Sequence, residues 1–181
     1  MKRELVRTER LCLTRPRVDD LDRYAELLGD YEVCKMLSRV PYPYDRDEGR
    51  ARLLRAQDSW RAFEKAEDLT FQIEHQGEVI GCFAFKKLQE TPEIGYWLGR
   101  AYWGKGFMSE AARAAMVWLF ENTDHTRVAC EAMIDNPASI RLAEKIGFRK
   151  VAEVGCASVS RGGTVPAVRA EITREEFLNG L

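Results

Sequence analysis

One stretch, Glu93 to Ala111, constrains this chain more than any other. Glu93-Ile-Gly-Tyr-Trp-Leu98 has the pattern of a strand, Gly104-Lys105-Gly106 follows a short loop, and an alanine-rich run from Met108 to about Asn122 reads as a helix. A strand that turns through glycines into a helix presents the free N–H groups of the first helical turn, and the positive end of the helix dipole, to whatever lies in front of the loop. Such a site receives phosphate readily. Glycine permits positive φ and close approach of backbone to an anion, and Lys105 adds charge. The plainer reading is a tight turn before a helix with Lys105 solvated, and spacing alone leaves the two level.

The rest of the chain alternates strand and helix periods, which predicts a mixed α/β fold. A strand is expected over Leu11 to Thr14, then a helix on Leu21, Tyr24, Leu27 and Leu28 that stops at Gly29, and a short helix over Val33 to Leu37. Pro41 and Pro43 bar helix across Pro41 to Tyr44. Asp45 with Glu48 caps a helix expected to run to about Lys65 on Ala51, Leu54, Trp60 and Phe63. From Leu69 the period becomes two: Leu69 to His75 and Val79 to Phe85 form a hairpin about Gln76-Gly77-Glu78, with Glu93 to Leu98 as a third strand. After the long helix come a strand from Arg127 to Ile134 and a helix from Asn136-Pro137 to Gly147. Two strands, Arg149 to Ala157 and Val165 to Ile172, close the fold around Arg161-Gly162-Gly163, and Thr173 with Glu176 makes a final capping box.

Length and charge narrow the function. The 181 residues suffice for one well-buried domain, residues 1–181, and not for two comfortable ones. Lys plus Arg number 28 against 29 Asp plus Glu, so no global basic field exists to hold nucleic acid. Five scattered cysteines without a C-x-x-C pair read as reduced, mostly buried thiols. With only His75 and His125, no metal centre is expected. The charged opening segment lacks the apolar core of a signal peptide, and no long apolar run follows, so a cytoplasmic protein without a membrane partner is expected.

Gly99-x4-Gly104-Lys105 matches the first positions of the phosphate loop of nucleotide hydrolases, but Gly106 stands where its Mg²⁺-binding hydroxyl belongs. A different pattern fits better. The Glu93 to Ala111 unit resembles the acetyl-CoA pyrophosphate loop of the GNAT superfamily, and E-I-G-Y-W-L followed by W-G-K-G-F resembles its ribosomal-protein N-terminal acetyltransferase branch. Asn136-Pro-Ala-Ser139, continuing to Lys145-Ile-Gly147-Phe148, is similar to the second motif of that branch, in the right order.

This resemblance implies an α+β sandwich with a mostly antiparallel sheet of about six to seven strands, splayed in the middle, with helices on both faces. Acetyl-CoA would lie between Glu93–Leu98 and Arg127–Ile134, and the amides of Trp103, Gly104, Lys105, Gly106, Phe107 and Met108 would cradle its pyrophosphate. The family often has Gln or Arg three residues before the first glycine. Here that residue is Ala101, with Arg100 one place out of register, and the role is not carried over. Asn136 would hydrogen-bond the pantetheine arm while also serving as a helix N-cap, and Ser139 would be an acid for the leaving thiolate.

The resemblance implies a primary amine as acceptor, on a peptide N-terminus or a small molecule, whose ammonium must lose a proton before attack. Glu93 is the preferred general base, Glu131 the second candidate. Some close members of the family place a base glutamate after the Gly-Phe pair, where this chain reads Gly155-Cys-Ala-Ser158 and offers no carboxylate. An amide at Trp97 or Leu98 would hold the negative oxygen formed during acyl transfer. Tyr31, Tyr42 and Tyr44 are candidates for the acceptor rim. Two other functions compete: a non-catalytic acetyl-CoA-binding regulatory module, and a nucleotide enzyme of the phosphate-loop kind. Homodimerisation is left open.

Overall fold

The computed structural model describes residues 4–181. Eight strands form one sheet in the order β1-β2-β3-β4-β5-β6-β8-β7. They are β1 (Glu4–Arg7), β2 (Leu11–Thr14), β3 (Leu69–His75), β4 (Glu78–Lys86), β5 (Glu93–Leu98), β6 (Arg127–Met133), β7 (Arg149–Ser158) and β8 (Gly163–Thr173). Sequence periodicity gives seven of these. The eighth, β1, is a four-residue edge strand with charged ends that buries no residue fully, so it leaves no apolar alternation to read.

Every neighbouring pair is antiparallel except β5 with β6. That parallel pair holds only at Glu93 opposite Ala129 and Ile94 opposite Cys130. Beyond Ile94 and Cys130 the strands part, and the sheet opens as the family resemblance implies.

Side chains alternate across the pleat. Phe71, Phe83, Phe85, Ile94 and Leu98 pack on one face against α4 (Phe107–Asn122), α5 (Pro137–Ile146) and α6 (Arg174–Asn179). Ala111, Ala112 and Ala115 of α4 are fully buried, and their small size lets the helix lie close to the sheet. On the other face α1 (Leu21–Leu28), α2 (Tyr31–Cys34) and α3 (Arg46–Arg61) bury Leu21, Tyr24, Leu28, Val33 and Leu53 against Val79 and Trp97.

Local signals explain the boundaries and the two departures from expectation. Asp45 caps α3 by accepting from the Asp47 and Glu48 amides, and Thr173 and Glu176 complete a capping box on α6. The helix expected at Val33 to Leu37 lies earlier, at Tyr31–Cys34, because the Asp30 carboxylate accepts from the Glu32 amide and starts it there. α3 ends at Arg61, with a separate 3-10 turn over Phe63–Lys65, and it buries Leu53 and the expected Trp60, whereas Leu54 is 46% exposed.

Candidate active site

The parting of β5 and β6 opens a cleft of about 1260 Å³ that runs from the glycine loop, past α5, to the loop before α3. At one end Gly104 and Gly106 take φ of 72° and 78°, in the left-handed region. Gly106 is the N-cap of α4, and no side chain caps that helix. Its first-turn N–H groups therefore have no internal partner, and Gly106, Phe107, Met108 and Ser109 line the cleft. A methyl group at Gly104 would meet no atom within 4 Å, so the backbone there faces open space.

The loop is braced from behind. Arg10 donates from Nη1 to the Lys105 carbonyl at 2.9 Å and from Nε to Glu110 at 2.7 Å, and its guanidinium sits 4.7 Å from the Phe107 ring centre. Burial pushes the Glu110 carboxyl up, but hydrogen bonds from Thr8 and Arg10 outweigh it and hold its pKa below the ordinary carboxylate value. The Lys105 ammonium lies over the Tyr102 ring at 5.7 Å and does not line the cleft. Arg100 faces Asp30 at 3.8 Å, also away from it.

Midway along the cleft, Asn136 accepts from the Ser139 amide at 3.2 Å and so caps α5, with Pro137 in the first turn. Ser139 Oγ is 2.7 Å from the Tyr96 hydroxyl. The Tyr96 ring stacks on Phe83 with centroids 6.0 Å apart, and burial pushes its phenol well above the ordinary tyrosine value. Tyr96 escaped the sequence reading although it lies inside the Glu93–Leu98 motif, because its partner is 43 residues away. Trp97 and Leu98 line the same stretch; Trp97 packs edge-on to Tyr24 at 5.4 Å, and the Leu98 carbonyl accepts from Trp103 Nε1 at 2.8 Å.

The two glutamates separate. Glu93 is 9% exposed, has Oε2 2.5 Å from Lys87 Nζ and Oε1 4.0 Å from Arg169, and does not line the cleft. It stands where β5 and β6 are still paired, at the closed end of the splay. Glu131 lies one residue past the last paired position, lines the cleft, and meets Arg169 Nη1 at 3.3 Å. Where the sequence reading expects Glu93 beside the reacting group, this register sets it at the closed end of the splay, outside the cleft lining. Of the three tyrosines only Tyr44 lines the cleft, half-buried, with its phenol pushed up to about 12 by burial. Tyr31 and Tyr42 pack on one another at 4.9 Å, exposed and away from the cleft.

Residues 10–149 match the acetyltransferase (GNAT) domain. The chain belongs to the GNAT family. It is thus an acetyltransferase, and the splayed sheet and glycine loop are the parts of that fold described above. The uncharacterised N-acetyltransferase p20 of Bacillus licheniformis is 26% identical over 96% of this chain and 98% of its own length. The ribosomal-protein-serine acetyltransferase of Escherichia coli K12 is 32% identical over 43% of this chain and 45% of its own. The structure of RimL, a ribosomal L7/L12 alpha-N-protein acetyltransferase in complex with coenzyme A, superposes with a TM-score of 0.80 at 19% identity, covering 92% of this GNAT chain and 95% of RimL. Among the described residues no cluster of His, Cys, Asp or Glu could hold a metal ion, and no helix is long and apolar enough to cross a membrane.

Proposed function

We propose that this chain transfers the acetyl group of acetyl-CoA directly to a primary amine, on a peptide N-terminus or a small molecule. The observation that carries this reading is the uncapped N-terminus of α4 behind Gly104 and Gly106, opening into the same cleft as Ser139 and Glu131. The site fits the coenzyme: free amides and a helix dipole suit a pyrophosphate, and open space before Gly104 admits it. The amides from Trp103 to Met108 would hold that group, and Asn136, Trp97 and Leu98, which line the cleft, would border its arm.

Acetyl-CoA, when bound, supplies an acetyl thioester. The chain's own residues manage the protons. Glu131, turned into the opening by the splay, takes a proton from the acceptor nitrogen, directly or through water. Arg169 at 3.3 Å fixes its orientation. The Tyr96 phenol stays protonated and lies 2.7 Å from Ser139 Oγ, so this hydroxyl pair can turn an O–H into the cleft as a hydrogen-bond donor to a departing thiolate, which takes its proton from water.

Two measurements test this. Acetyl-CoA at about 100 times its dissociation constant should stabilise the chain by about 2.7 kcal/mol, a rise of about 5 to 11 °C in Tm for this size. Mg²⁺-ATP should give no shift; the reverse result supports the nucleotide-enzyme reading and overturns this one. In Tyr96→Phe, kcat should fall about 3- to 10-fold, the worth of one hydrogen bond, while KM for acetyl-CoA holds. An unchanged kcat with a raised KM would show that Tyr96 only shapes the coenzyme site.

A further inference from the structure

The acceptor half of the cleft contains one half-buried cation, Lys86, with no ion-pair partner among the described residues; Lys65 and Glu67, which also line it without such a partner, are exposed. Lys86 ends β4, and its side chain lies back over Gly95, where a methyl would fall 2.8 Å from Cε and 3.0 Å from Nζ. Lys86 lines the cleft. The register sets it opposite Glu93, yet Glu93 is taken by Lys87, whose φ of 56° turns it to reach the carboxylate, and by Arg169. Lys86 makes no ion pair and no side-chain hydrogen bond among the described residues. The neighbouring carboxylates are already engaged. Glu48 is bound by Arg52 and Arg55, Asp68 by Arg39, and Glu131 by Arg169.

Position adds meaning to this charge. Gly95 is the first residue of β5 past its last pairing with β6, and Glu131 is the first of β6 past the same point. Lys86 and Glu131 therefore frame the opening, a cation over one strand and a carboxylate on the other. Burial, and then the nearby Arg39 guanidinium, lower the pKa of the Lys86 ammonium, while Glu93 and Asp68 oppose them. A cation so placed has most to gain from an incoming anion, because its hydration is already partly lost. It also repels a bare ammonium arriving at the same opening.

We infer that the acceptor carries an anionic group, carboxylate or phosphate, within a few bonds of its amine, and that Lys86 binds that anion while Glu131 faces the amine. This rests on the amine-transfer reading above and names its substrate class. Polyamines, which bring only positive charge, are poor acceptors on this account.

The test uses the full chain with acetyl-CoA, following CoA release with amines matched except for charge. These are alanine against alaninamide, O-phosphoethanolamine against ethanolamine, peptides with Glu against Gln at the second residue, and spermidine. The anionic member of at least one pair should be favoured about 10- to 100-fold in kcat/KM, the range of a hydrogen bond to a charged group. Which pair responds separates a small-molecule source of the anion from a peptide one. Lys86→Gln should abolish the preference, and Lys86→Arg should keep most of it. Turnover without an anion preference, or a preference that survives Lys86→Gln, overturns this inference alone. Binding of acetyl-CoA with no turnover of any amine overturns the amine-transfer reading, and this inference with it.

Discussion

Glu131→Gln is expected to lower kcat/KM about 10²- to 10⁴-fold, the usual worth of a positioned general base. The substitution keeps the shape of the side chain and leaves Arg169 an oxygen to bind, so fold and coenzyme affinity should hold. A large loss of kcat/KM at unchanged acetyl-CoA affinity is the result that marks Glu131 as the proton acceptor. Glu93→Gln should behave differently. It removes the carboxylate charge that Lys87 and Arg169 share at the closed end of the splay, and loss of a charge-assisted hydrogen bond at a buried side chain is destabilising. A lower denaturation midpoint with most of kcat/KM retained is therefore expected. The opposite outcome, a large loss of kcat/KM in Glu93→Gln and a small one in Glu131→Gln, would return the role to Glu93 through a proton path from outside the cleft.

Gly104→Val should weaken acetyl-CoA binding about 5- to 150-fold. At φ of 72° a β-branched residue is strained. The loop relieves about 1–3 kcal/mol by leaving that conformation, and binding must restore it. A Cβ at this position would meet no atom within 4 Å beyond its chain neighbours, and the loop is exposed, so the defect should not come from misfolding. Calorimetric titration with acetyl-CoA checks it directly. An unchanged affinity would show that the pyrophosphate is not held at this loop.

The parts of the site that were legible in the sequence are those built from consecutive residues. Gly104 and Gly106 before a helix, Asn136 with Pro137 at another, and the capping pairs Asp45–Glu48 and Thr173–Glu176 each act within one turn of chain. Their chemistry survives in one dimension. Tyr96 with Ser139, and Arg10 with Lys105 and Glu110, join positions 43, 95 and 100 residues apart and carry no local signal. Leu53 and Leu54 show a related limit: both are apolar neighbours on α3, and only packing against the sheet decides which one turns inward.

The sequence by itself determined the order of strands and helices, the anion-receptive loop, the family resemblance and the short list of acids and bases. These follow from periodicity, from glycine's access to positive φ and from helix ends that need capping. Tertiary structure alone decided which members of that list meet. β5 and β6 pair at two positions and then diverge, so two residues along the paired strands separate a carboxylate held in ion pairs from one in the open cleft. That is why Glu131 and Lys86 face the opening and Glu93 does not. The register of a parallel pair is set by the packing of the whole sheet, and no segment read alone contains it.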